Sequence, residues 1–288
     1  MADALVFGGS GPLGQALIAR LTDAGWRVTA LSRQPRTDAG AVRWIHGGLE
    51  ESPELPRAAG VIFSCGPLDL FSQWYAGSDI ACPRIVAFGS TSLHAKRDAA
   101  DPGERELAAR LQQAEQRLFQ SAAARSAAAT VLRPTLIYGA GRDRNLTRIA
   151  ALASRTGFFP LPRAATGLRQ PVHVDDLAAA ACAAASAVVS QGRAYDLPGG
   201  ETLPYRDMVA RTLAALEPRP RLVELPAPLF RLAHVAARVS GVLQGMPPGA
   251  IARMREDLVF DPGPAVRDFV YAPRAFRPTA EMVTPPVE

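Results

Sequence analysis

The order of apolar and polar positions predicts strands and helices in alternation. Residues 4–7 (ALVF) are a short uninterrupted apolar run, the pattern of a strand buried on both faces. Leu13, Leu17, Ile18 and Leu21 then recur at helical spacing, with Pro12 suited to a first helical position and Gly25 to a C-terminal stop. Further strands are expected at 26–33 (WRVTALSR), 41–47, 60–66, 84–90 and 129–139, with a long helix over 104–125 before the last. Such repetition implies a parallel sheet covered on both faces, with ligands at the carboxyl ends of its strands. Those ends carry Gly8, Arg33, Leu49, residues 64–66, residues 89–91 and residues 134–136.

After Gly139 the pattern turns irregular, and proline is dense over 198–228 and 247–286. The expected fold is therefore α/β: a Rossmann-type doubly wound parallel sheet with a smaller C-terminal substrate-binding lobe. The core is assigned to residues 1–139 and about 172–200, the lobe to about 140–171 and 201–288, interleaved along the chain. A helix over 176–189 and a strand near Tyr195 return to the sheet. Asp175 or Asp176 caps that helix, whose Ala-rich run begins at Leu177. Residues 225–245 form an amphipathic helix with Arg231, His234 and Arg238 on one side, read as packing against its own domain.

Composition narrows the function classes. With 288 residues, 48% of them hydrophobic, the chain is long enough for a large core. The net charge of +5 comes without basic runs, which argues against nucleic acid as a partner. Cys65, Cys82 and Cys182 lack CxxC spacing, and the four histidines lack HExxH or HxH spacing. No disulfide framework or metal site is expected, which suits a reducing cytoplasm. No segment reads as a signal peptide or a transmembrane span.

Gly8, Gly11 and Gly14 form GxxGxxG between the first strand and its helix. In a strand–turn–helix context this pattern brings backbone close to a pyrophosphate and sets it at the positive end of a helix dipole. The candidate cofactor contacts are Gly8, Gly9, Ser10, Gly11, Pro12, Leu13, Gly14, Ser32, Arg33, Leu49, Cys65, Gly66 and Pro134. At the end of the second strand, where an acid would favour NAD, stand Ser32 and Arg33, with no acid until Asp38. NADP(H) is therefore favoured over NAD(H).

Several motifs in order carry a family resemblance: the glycine motif, "FGSTSLHA" after the fifth strand, "LRPTLIYGAG" (132–141), "RQPVHVDDLA" (169–178) and "YDLPGGETLPYRDM" (195–208). Over residues 3 to about 215 the chain resembles the extended short-chain dehydrogenase/reductase superfamily, the NAD-dependent epimerases and dehydratases that act largely on nucleotide sugars. The resemblance implies a Ser or Thr after the fifth strand, matched by Ser90, and a YxxxK pair on the next helix. Glu115 and Leu118 fall where the family's Glu and Leu lie, which sets Leu107 and Leu111 at the Tyr and Lys positions. Lys96 is the sole lysine, Ser92 lies four residues before it, and no tyrosine lies between Tyr75 and Tyr138, so no shift of alignment restores the pair.

Ser90 and His94 are the candidate catalytic residues, with Lys96, Tyr138 and Cys65 as further proton carriers. The plainer reading makes His94 a hydrogen-bonded loop histidine, Lys96 a solvated surface charge and His173 a packed strand residue. The resemblance sets 139–145 where the family receives its substrate, so Arg142, Arg144 and Asn145 are candidate anion contacts or parts of a plain surface loop. Arg169 is a candidate partner for a substrate phosphate or a neighbouring aspartate. Two functions follow: an NADP(H)-dependent oxidoreductase or epimerase acting on a nucleotide sugar or similar anionic metabolite, or a catalytically weak or inactive NADP(H)-binding sensor or assembly subunit. The apolar face of 104–125 permits a homodimer.

Overall fold

The computed structural model describes residues 2–50, 54–143, 145–230 and 253–285. They divide into two compact units: Met1–Thr135 with Val174–Pro198 and Asp261–Pro273, and Leu136–His173 with Gly199–Phe260 and Arg274–Glu288.

The first unit is a seven-stranded, wholly parallel sheet. Strands β1 (Asp3–Phe7), β2 (Arg27–Ser32), β3 (Val42–His46), β4 (Val61–Ser64), β5 (Arg84–Phe88) and β6 (Ala128–Pro134) follow in chain order, and a late strand, Arg193–Leu197, joins the edge beside β6. Across the sheet the order is that late strand, β6, β5, β4, β1, β2, β3. Ala4 pairs with Val28 on one side and Val61 on the other, so β1 lies near the middle, and its residues 4–7 are fully covered. The continuous apolar runs of β1, β4 and β5 reflect this two-sided burial.

Helices cover both faces. Helix α1 (Pro12–Asp23) buries Leu13, Leu17, Ile18 and Leu21 and packs against the helix Val174–Ser186, while α2 (Leu68–Gly77) packs against the long α4 (Pro102–Ala123). A single turn, α3 (Ser92–Ala95), links β5 to α4. Phe7, Phe71, Tyr75, Leu118 and Val131 belong to one core cluster of this unit.

The predicted strand over 129–139 is divided. β6 stops at Pro134, and β7 (Ile137–Tyr138) pairs instead with β10 (Val172–His173) in the second unit. That unit also holds α5 (Leu146–Thr156), β8 (Phe158–Pro162) and β9 (Leu168–Arg169) around its own core of Tyr138, Ile149, Leu161, Met208 and Phe276. After α6 (Val174–Ser186) and the returning β11 (Arg193–Leu197), β12 (Leu203–Pro204), α7 (Tyr205–Ala214) and β13 (Arg221–Leu225) complete it. α8 (Gly263–Phe269) belongs to the first unit and α9 (Ala280–Val283) to the second.

Helix α6 begins at Val174, not after the aspartates. Asp175 and Asp176 therefore stand in its first turn, where a negative charge meets the positive helix end, and neither is the capping residue. The expected helix over 225–245 begins later: Leu225 ends strand β13, and residues 227–230 are helical. Residues 231–252, with Arg231, His234 and Arg238, lie outside the described residues.

Candidate functional site

The loop from Gly8 to Gly14 is closed so tightly that side chains are excluded at its two ends. Gly8 has φ +72°, and a Cβ there would lie 3.0 Å from the Cys65 carbonyl carbon and the Gly66 nitrogen. Gly14 sits in the first turn of α1, where a Cβ would lie 2.2 Å from the Gly8 oxygen. The Gly11 N–H donates to that same oxygen at 3.0 Å. Gly9 is buried, and Ser10 is half-buried between them. Gly11 is the N-cap residue of α1 and Pro12 its first residue; no side chain caps this end. The first-turn N–H groups of Leu13 and Gly14, with the helix dipole behind them, suit a diphosphate. The residues present thus fit a dinucleotide: a narrow loop, close backbone and an uncapped helix start at a strand's carboxyl end.

The end of β2 lies next in the sheet. Ser32 is buried, and its Oγ accepts the Gln34 N–H at 3.2 Å. Arg33 is exposed, with Cγ beside Gly48. The next acid, Asp38, accepts the Trp44 N–H at 2.7 Å, while Arg36 stacks over the Trp44 ring at 5.0 Å. Leu49 packs against the core cluster of the sheet, and Pro134 accepts through its carbonyl from both the N–H and the hydroxyl of Thr91 at 3.2 and 3.1 Å.

On the other side of β1, a cavity of about 220 Å³ opens between the ends of β4 and β5 and helix α4. Its walls are Gly66, Pro67, Leu68, Phe88, Gly89, Leu107 and Leu111, with Asp69 and Arg110 as the charged lining. Arg110 Nε lies 3.2 Å from Asp69 Oδ2. The two positions that the resemblance gives to the Tyr/Lys pair therefore present aliphatic side chains, which transfer no proton. Asp69 and Arg110 were not singled out from sequence; both belong to helices, and only folding brings them together.

Ser90 follows β5, and its Oγ accepts the Ser92 N–H at 3.1 Å, fixing the start of α3. His94, on that turn, lies beside a buried ionic group. Arg133, on β6, donates to both carboxylate oxygens of Glu115 at 2.8 and 2.5 Å. Its Nη1 lies 3.1 Å from His94 Nε2 and 3.6 Å from Asp196 Oδ1, and that oxygen is 3.3 Å from His94. Burial opposes the Arg133 charge, but the Glu115 bond and the charges of Glu115 and Asp196 outweigh it, so its pKa stands above the ordinary guanidinium value. His94 is thus a half-exposed imidazole supported by an ordered charged network, at the carboxyl ends of β6 and β11.

The other candidate proton carriers lie elsewhere. Lys96 is paired, not solvated: Nζ is 3.7 Å from Glu104 Oε1, and its side chain is only 20% exposed. Burial pushes the Cys65 thiol up to about 12, so it holds its proton at neutral pH. Tyr138 is in the core of the second unit, edge-on to His173 at 5.1 Å and Phe276 at 4.9 Å. His173 is buried in β10 as a packed strand residue.

Among the candidate substrate contacts, Arg142 and Asn145 are exposed, and Arg144 lies outside the described residues. Asp143, which sequence reading passed over, accepts the N–H groups of Asn145 and Leu146 at 2.8 and 2.6 Å and the Thr147 hydroxyl at 2.6 Å, so it caps α5. Arg169 is buried. Its guanidinium donates to the Leu168 and Glu256 carbonyls at 2.7 Å and to the Arg253 carbonyl, and it stacks over Tyr205. Those bonds leave it little capacity for a substrate anion. Among the described residues no group of His, Cys, Asp and Glu could hold a metal ion, and no helix is long and apolar enough to cross a membrane.

No family model matches the chain. The 2-alkyl-3-oxoalkanoate reductase of Stenotrophomonas maltophilia is 29% identical over 315 aligned positions, covering 94% of each chain. Subunit 9 of the NADH dehydrogenase 1 alpha subcomplex of Arabidopsis thaliana mitochondria is 33% identical over 104 residues, 36% of this chain and 26% of its own. Among solved structures, MoeE5 in complex with UDP-glucuronic acid and NAD superposes with a TM-score of 0.70 at 19% identity, covering 96% of this chain and 95% of its own. The seven-stranded parallel sheet with helices on both faces is thus an α/β Rossmann-type fold, which this chain shares with MoeE5.

Proposed function

We propose that the chain binds NADP(H) and works as an oxidoreductase or epimerase on an anionic small molecule. The observation that carries the cofactor reading is the uncapped start of α1 behind Gly8 and Gly14, next to a β2 end that offers Arg33 where an acid would favour NAD. The bound nicotinamide would supply hydride chemistry. The loop would hold the diphosphate, Arg33 would face a 2′-phosphate, and Ser90 and His94 would orient the reacting group and exchange a proton with it. Substrates follow the similar proteins: a 3-oxo acid, as the Stenotrophomonas reductase is named for, or a nucleotide sugar, as MoeE5 binds.

A second reading is an NADP(H)-binding subunit with little turnover. It is favoured by Leu107 and Leu111 in the cavity wall and by the partial match to a protein named as a subunit of an NADH dehydrogenase. Titration with NADPH and NADH, followed by 3-oxo acids and UDP-sugars with product analysis, separates the two. Arg33→Ala is expected to weaken NADPH about tenfold or more while changing NADH within about twofold. Equal losses would remove the 2′-phosphate role, and tight NADPH binding without conversion across the panel would favour the subunit.

A further inference from the structure

The sheet order constrains where a dinucleotide runs. β2 and β4 flank β1 on opposite sides. A dinucleotide held by its diphosphate over residues 8–14, with adenosine over β2, must send its second nucleoside toward β4 and β5. The cavity lies there, and four of its side chains, Leu68, Phe88, Leu107 and Leu111, offer nothing to the hydroxyls of a ribose. Burying such hydroxyls without partners is costly. Asp69 and Arg110, 3.2 Å apart, are the charged residues of the lining.

We propose that Asp69 and Arg110 together hold the second ribose of a bound nicotinamide dinucleotide. Asp69 starts α2 in its first turn and keeps a side-chain exposure of 23%, so its carboxylate is both fixed and reachable. Only Oδ2 faces Arg110 Nε at this distance, and a carboxylate has lone pairs enough to accept from a vicinal diol as well. Arg110 precedes Leu111 on α4, and its guanidinium has five donors, of which Nε faces Asp69. The remaining donors suit the ribose hydroxyl or phosphate oxygens. The pair thereby supplies polar contacts at the cavity where residues 107 and 111 supply none.

This inference rests on the cofactor reading, and calorimetric titration with two ligands separates them. NADPH carries the second ribose; 2′,5′-ADP ends before it. Asp69→Asn and Arg110→Ala are each expected to weaken NADPH about tenfold, the loss of a charge-assisted bond, while 2′,5′-ADP stays within about twofold of wild type. Unchanged NADPH affinity in both variants overturns the clamp and leaves the cofactor reading standing. Equal losses for the two ligands also overturn it, because they mark structural damage. Failure of the unmodified protein to bind either ligand overturns the cofactor reading and the clamp with it.

Discussion

Arg84 shows what a single position can carry unseen. It precedes the apolar run of β5, where a cation reads as a polar strand boundary, yet it is only 6% exposed. Its guanidinium donates to the Thr130 and Ser190 hydroxyls at 2.7 and 2.6 Å and to the carbonyls of Ala184, Ala185 and Ala128. Burial lowers its pKa, so those acceptors, and not a carboxylate, hold the charge in place. Arg84→Met fills much of the volume and takes a donor from five acceptors, of which the Ala184 carbonyl keeps the Ser190 hydroxyl. The expected loss is about 3 kcal/mol of unfolding free energy, read as a lower urea midpoint with an unchanged slope. A loss below about 1 kcal/mol would mean that water replaces the donors. By contrast the roles of Gly8 and Gly14 were legible, because a tight turn and a helix start are set by neighbours in sequence. Asp69 and Arg110 were not, since their partnership depends on how α2 packs against α4.

At the level of elements, apolar periodicity located every strand of the main sheet, while boundaries moved where tertiary pairing intervened. Residues 129–139 read as one strand, but β6 ends at Pro134 and Tyr138 pairs with His173 in another sheet. The apolar pattern continues across the break because both pieces are buried. α5 was hidden behind residues taken for anion contacts; its cap is Asp143, and Asn145 at the N-cap position makes no side-chain cap bond. The clearest local conflict is at the end of α8. Val270 has φ +57° and is 82% exposed, a left-handed conformation that a β-branched residue pays for sterically. Val270→Gly relieves it at little loss of packing. The variant is expected to gain about 1 kcal/mol and melt about 2–4 °C higher. A lower melting temperature would mean that the Val270 side chain contributes more than its exposure implies.

The residues proposed to hold the cofactor belong to a unit that is not contiguous in sequence. The glycine loop, the β2 end and the cavity all lie before residue 112, so residues 1–139 contain every group proposed to hold NADP(H), while Asp196, beside His94, lies outside them. Folding sets a different requirement. β11 pairs with β6 over five residues from Arg193 to Leu197, and α6 buries Leu177, Ala178, Ala181 and Ala184 and packs against α1. A chain ending at residue 139 would expose the β6 edge and the α1 face that α6 covers. α1 is the helix whose start would hold the diphosphate, so loss of α6 reaches the binding loop through packing and removes no contact from it. The fragment 1–139 is therefore expected to show no cooperative thermal transition and no measurable NADPH binding. The full chain should melt cooperatively and gain stability with NADPH, by about 2.7 kcal/mol at a hundredfold excess over Kd. A fragment that melts sharply and binds NADPH like the full chain would show that the first six strands suffice, and that the later returns to the sheet serve the second unit.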